Sequence, residues 1–167
     1  MVTNFRDLID TPERHAQAQA WQKHLRERLG PAVIKRPAQL HYIYGVHREK
    51  MVLDQLALLR DSADTDERVI HLRNQWGEAL ALQGRFHEAA EVTTSILHRR
   101  EYLAKGEAIA ALGSDCECPV EKVVPSPTDA KGARQSNRVL VESIFDGEKF
   151  IALSLCLNCG GLRAKQE

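Results

Sequence analysis

NRVLVESIFDGEKFIALSLCLNCGG, residues 137–161, decides how this chain is built. Val139, Val141, Ile144 and Phe145 precede Asp146-Gly147, and Phe150, Ile151, Leu153 and Leu155 follow. Apolar runs on both sides of an Asp-Gly pair predict a β-hairpin closed by a tight turn. Its second strand leads directly into Cys156 and Cys159, a Cys-x-x-Cys pair followed by two glycines. The chain has four cysteines, and the other two, Cys116 and Cys118, stand in CECP, just ahead of the short strand VEKVV. A small three-stranded sheet made of that strand and the hairpin would bring the two pairs together.

Such an arrangement has a definite chemistry. A Cys-x-x-Cys turn followed by glycine lets backbone amides point at the thiolates and lets the chain tighten around a tetrahedral ion. Four sulfurs then make a closed structural site, so the expectation is one structural Zn2+ per chain held by Cys116, Cys118, Cys156 and Cys159. Cys116 and Cys118 lie in a polar, acidic stretch, which argues against four reduced thiols that merely pack. Neither pair has the spacing of an iron–sulfur ferredoxin. CLNCGG resembles the knuckle of zinc ribbons, whereas CECP has a tighter, one-residue spacer. The resemblance implies a zinc-ribbon-like β module over about 115–161. A Cys-x-Cys followed distantly by Cys-x-x-Cys is also similar in order to the zinc switch of the bacterial redox-regulated holdase chaperones. That second likeness implies an alternative, a redox-responsive zinc and thiol switch. Here Cys118 and Cys156 stand further apart than in that family, and no thioredoxin-like βαβ pattern surrounds Cys156 and Cys159.

N-terminal to Ser114 the chain reads as helical, which makes the fold class α+β: a helical domain over 1–114 and a β module over 115–167. Thr11-Pro12-Glu13 and Gly30-Pro31 bracket one helix, with Ala16, Ala20, Trp21, Leu25 and Leu29 on a thin apolar stripe. VHREKMVLDQLALLRDS carries Val46, Met51, Val52, Leu53, Leu56, Leu58 and Leu59 and reads as the central core helix. HYIYG, residues 41–45, fits either a short strand or the first turn of that helix. Asp64 and Glu67 are spaced as a capping box ahead of RVIHLRNQWGEALALQG, Gly84 ends that segment, and RFHEAAEVTTSILHRR follows as the second arm of a helical hairpin. Between Val124 and Arg138 the prolines and polar residues predict a mobile loop, about 125–137.

The hairpin over about 67–101 resembles a single tetratricopeptide repeat. Trp76 and Gly77 stand at that family's Leu-Gly position, and Gly84, Phe86, Glu88 and Ala89 follow at its spacing. It departs from the family at Arg73, Leu80, Thr93 and Glu101. Small residues at 77 and 89 let antiparallel helices approach, with Trp76, Leu80, Phe86, Val92, Ile96 and Leu97 expected between them. GEALALQG, 77–84, recurs almost unchanged as GEAIAALG, 106–113. This looks like the first helix of a second unit, but SDCECP stands where its partner helix would have to follow, so the reading is one full repeat plus a packing helix. The resemblance implies a protein- or peptide-binding scaffold whose concave face includes Arg73 and Thr93.

Charge and length set the remaining bounds. The chain has 167 residues, 43% hydrophobic, enough for a core without disulfides. Lys plus Arg equals Asp plus Glu at 23 each, so no overall field draws it to nucleic acid. Lys131, Arg134, Arg138, Arg163 and Lys165 form a local basic group that offers a nucleic-acid-binding alternative. No apolar run approaches the roughly 18 residues of a spanning helix, and MVTNFRDLIDTPERH lacks a signal peptide's apolar stretch. The expectation is a cytoplasmic protein with no membrane partner. The seven histidines form no H-E-x-x-H arrangement, and there is no phosphate-cradling glycine loop or nucleophile elbow. A four-thiolate ion also has no open position for water, so the sequence points away from an enzyme.

Overall fold

The computed structural model describes residues 36–167 together with Pro12, Glu13, Ala16, Gln19, Ala20, Lys23 and Glu27. Those seven N-terminal residues are helical and exposed; Trp21, Leu25 and Leu29 of the expected stripe lie outside the described residues. Four helices follow: α1 (Pro37–Leu58), α2 (Glu67–Leu82), α3 (Phe86–Val92) and α4 (Ile96–Ala110). Five strands complete the chain: β1 (Glu121–Val124), β2 (Ala133–Ser136), β3 (Arg138–Phe145), β4 (Phe150–Cys156) and β5 (Leu162–Gln166). The fold is α+β, with the helices first and two small antiparallel sheets after them.

HYIYG is helical, because Pro37 at the first position starts α1 well before it. Gly45 in that stretch is the crossing point with α2: a Cβ there would lie 2.7 Å from the Ala79 carbonyl oxygen and 2.8 Å from Leu82 Cβ. A polar tie reinforces the crossing, since Glu49 accepts from Trp76 Nε1, Gln83 Nε2 and Arg85 Nη1. Of the seven apolar residues expected to make α1 the core helix, only Val52 is buried, and Leu53 and Leu58 are exposed. The central helix is α2, with Leu72, Ala79 and Leu80 fully buried between α1 and α3. Its N-cap is Asp66, whose carboxylate accepts from the Arg68 N–H at 2.9 Å, rather than the expected Asp64 box.

RFHEAAEVTTSILHRR is not one helix. Thr93 leaves the helical region, Ser95 caps a new helix by accepting from the His98 N–H, and the chain turns between them. Val92-Thr93-Thr94 are β-branched, and Asn74 Oδ1 rewards the break by accepting from Thr93 Oγ1, Thr94 N–H and Thr94 Oγ1. Arg73 Nε donates to the Val92 carbonyl. Ile96 and Leu97, expected inside the hairpin, are therefore exposed on α4. GEAIAALG is the C-terminal end of α4 and its following turn, and α4 packs as a helix against α3, β4 and β5.

The sheets also differ from expectation. β1 pairs with β2 in a sheet of their own, so the expected loop 125–137 contains a strand. The hairpin β3–β4 forms as read, with Phe145 opposite Phe150 and Asp146 Oδ1 accepting from Glu148 and Lys149 across the turn. Its third strand is β5, paired to β4, not VEKVV. Ile144, Ile151, Leu153 and Ala164 from this sheet join Leu80, Phe86, Ala89, Tyr102 and Ala108 from the helices in one hydrophobic cluster. The core is thus shared across Ser114. Gly113 N–H donating to the Ala164 carbonyl at 2.9 Å pins the end of α4 to β5.

Candidate metal centre

Two segments meet at the end of β4. Strand β4 delivers Cys156, and the turn after it carries Cys159. Gly160, at φ +72° where an L side chain is strained, lets its N–H fold back onto the Cys156 carbonyl at 2.8 Å. The Cys156 N–H donates to Gly161, closing the knuckle. The other segment descends from α4 through Ser114 and Asp115 to Cys116 and Cys118 before entering β1. The four Sγ atoms all lie within 4.8 Å of one another, and no disulfide joins any of them. A tetrahedron with Zn–S bonds of about 2.3 Å has sulfurs about 3.8 Å apart. The donor set and its spacing therefore fit a metal ion. Cys156 is buried, Cys116 and Cys118 are half-buried, and Cys159 is exposed.

Asn137 and Arg138, between β2 and β4, hold the two segments together. Asn137, 6% exposed, donates its N–H to Val120 and its Nδ2 to Pro119, and accepts from the Leu157 N–H at 2.8 Å. Arg138 Nη1 donates to Pro119 O and to Cys156 Sγ; Nη2 donates to Cys118 O and to Cys116 Sγ. Neither residue had a metal-site signal in the sequence. A polar Asn-Arg pair beside a strand looks like ordinary surface, and only the register that sets Arg138 opposite Cys156 reveals its place.

The thiols influence one another strongly. The backbone N–H of Cys159, helped by that of Asn158, pulls the Cys156 thiol down to about 6 against the upward push of burial. The Cys116 sulfur and burial push the Cys118 thiol up to about 11. The two shifts run in opposite directions, so Cys156 gives up its proton well before Cys118 does. A dication among them would displace the remaining protons. Asp115 is held below the usual carboxylate range, first by the Cys116 N–H and then by Lys165 and Arg138.

The other residues singled out from the sequence are placed as follows. Lys131 and Arg134 are exposed on the β1–β2 side, the latter 3.7 Å from Glu121. Lys165 pairs with Asp115 at 3.3 Å, and Arg163 Nη1 donates to its neighbour's carbonyl at Leu162. Arg138 faces the sulfurs, so the five do not form one outward basic patch. Thr93, expected on a partner-facing surface, is 1% exposed and bound to Asn74, and Arg73 is half-buried against Val92. Among the described residues no helix is long and apolar enough to cross a membrane. No family model, curated protein or solved structure matches this chain, so the cluster of four sulfurs carries the functional argument.

Proposed function

We infer that this is a non-catalytic zinc protein in which a closed four-thiolate centre fixes the end of a helical scaffold. The observation that carries it is the convergence of Cys116, Cys118, Cys156 and Cys159 within 4.8 Å from two distant segments. Four thiolates satisfy a tetrahedral Zn2+ completely, which supports a structural role and leaves no coordination position for chemistry. In this reading residues 115–167 act as a zinc-ribbon-like module and the helices before them as a scaffold for a protein or peptide partner. The close pass of Gly77 by Ala89 O and Thr93 Cβ, 3.3 Å from a Cβ placed there, supports a tetratricopeptide-like α2–α3 pair with a shortened second arm. Tyr44 on α1 and Ile96 and Leu97 on α4 leave apolar area exposed of the sort interaction surfaces use. Nucleic-acid binding is the weaker reading, because Arg138 faces sulfur while Lys165 and Arg134 face carboxylates.

The test is to quantify bound metal and free thiols on protein purified without added zinc. One zinc per chain, with four thiols appearing only on chelation, is the expected result. Metal-free protein with disulfide-linked or freely reactive cysteines would replace this reading with thiol redox chemistry. Iron with the absorption of a cluster would assign the sulfurs to an iron–sulfur group.

A further inference from the structure

Arg138 is the first residue of β3, and its Cα partner across the sheet is Cys156. That register turns its guanidinium into the tetrad, where the side chain is only 14% exposed. Nη1 lies 3.4 Å from Cys156 Sγ and Nη2 lies 3.2 Å from Cys116 Sγ. One planar fork therefore reaches one cysteine of each pair. The same two nitrogens bond the carbonyls of Pro119 and Cys118 at 3.3 and 3.2 Å, and Nη2 lies 3.4 Å from Asp115. Nε is buried with no hydrogen-bond partner among the described residues, so the group is placed for what its outer nitrogens do.

A dication with four thiolates carries a net double negative charge, and holding its buried side, around Cys156, without a counter-charge is costly. A guanidinium is the side chain best shaped to answer this, because it is weakly hydrated, always charged and offers parallel donors. Its N–H groups also draw electron density from the sulfurs they touch, which lowers their donor strength. We propose that Arg138 is a positioning residue of the metal centre: it clamps Cys116 to Cys156 across the two segments and offsets half the charge of the metal–thiolate group. Cys118 and Cys159 are left as the undamped pair. This rests on the zinc reading above.

The experiment uses the full chain with Zn2+ and Co2+, comparing Arg138→Gln, Arg138→Lys and the exposed Arg134→Gln. Zinc affinity is read by competition with a chromophoric chelator, and donor strength by the cobalt–thiolate charge-transfer band. Arg138→Gln is expected to weaken zinc binding about 10–100-fold, the usual cost of losing such an outer partner, and to move the band to lower energy. Arg138→Lys should recover part of the affinity through its charge, yet keep the shifted band, because one ammonium cannot span both sulfurs. Arg134→Gln should change neither. Wild-type affinity and band in Arg138→Gln would overturn the proposal, as would lost affinity with an unmoved band and no recovery by lysine. If the glutamine variant does not fold, the lysine variant decides by the same band. If neither folds at saturating zinc, Arg138 is only a structural strut and the proposal falls. A wild-type chain that binds neither metal through four sulfurs defeats the zinc reading itself, before any variant is made.

Discussion

The crossing of α1 with α2 and the meeting of the two cysteine segments are both places where distant stretches of chain touch, but different forces hold them. At the helix crossing the contact is steric and apolar: Gly45 seats against Ala79 and Leu82, Ile43 and Leu72 are buried, and Glu49 collects three donors. Around the cysteines the neighbours are polar or open. Val120, Val123 and Leu157 are 57%, 66% and 50% exposed, and β1 and β2 contribute no buried residue. What remains there is sulfur, Asn137 and Arg138. The first region folds by excluding water; the second depends on a directional, chemical tie. β3, β4 and β5 belong with the helices by this criterion, because Ile144, Ile151, Leu153 and Ala164 sit in the helical core.

The largest effect is expected from Cys156→Ser. It should abolish stoichiometric metal binding and strip hydrogen-exchange protection from β1, β2 and the 157–161 turn, while α2 amides keep theirs. Collapse of α2 together with β1 would show that the two regions do not differ as described. A milder cut on the helical side is Gly45→Ala, which pushes a methyl into the Ala79 carbonyl. The expected cost is about 1–3 kcal/mol, the usual range for overpacking, with metal content unchanged, measured by denaturant unfolding of the metal-loaded chain.

The smallest effect tests the seam between α4 and β3. Lys105 lies 2.9 Å from Glu101 and 2.8 Å from Glu142. Burial works to lower its pKa, but the hydrogen bonds to Glu142 and Glu101 outweigh it and the net shift is upward. A raised lysine pKa contributes its stability in full below the ordinary value of about 10.5 and loses it as pH climbs through the folded value. Wild type should therefore lose slightly more thermal stability than Lys105→Met between pH 9 and strongly alkaline buffer. The difference should be roughly 0–1 kcal/mol, since the site is partly solvated. Equal losses in both proteins would remove the ion pair from the seam.

The contrast also explains what could be read from residues alone. The β3–β4 hairpin and the cysteine pairs were legible because a turn pair between apolar runs, and thiols at fixed spacing, are local signals. α2 was legible through its periodicity and Gly84. The break at Thr93 was not, because it depends on Asn74 receiving three donors from across the hairpin. β5, LRAKQ, carries only Leu162 and Ala164 as apolar residues, and becomes a strand because β4 offers it an edge. α1 misled by abundance: many leucines marked it as central, yet the small residues Gly45 and Ala38 mark its packed face. Cys156 was singled out as a candidate ligand and its sulfur stands in the cluster of four, while Arg138 beside it looked like one more surface cation.

The shared core has a consequence for how the chain emerges from the ribosome. Leu80, Phe86, Tyr102 and Ala108 are made well before Ile151, Leu153 and Ala164, the residues that complete their cluster. At translation rates of about 5–20 residues per second, the inner faces of α2, α3 and α4 wait on the order of seconds for β4 and β5. During that interval the nascent helices present a sticky, half-finished surface. The last of the four cysteines, Cys159, follows Leu153 by only a few residues, so completion of the sulfur cluster and closure of the core become neighbouring events in the birth of the protein.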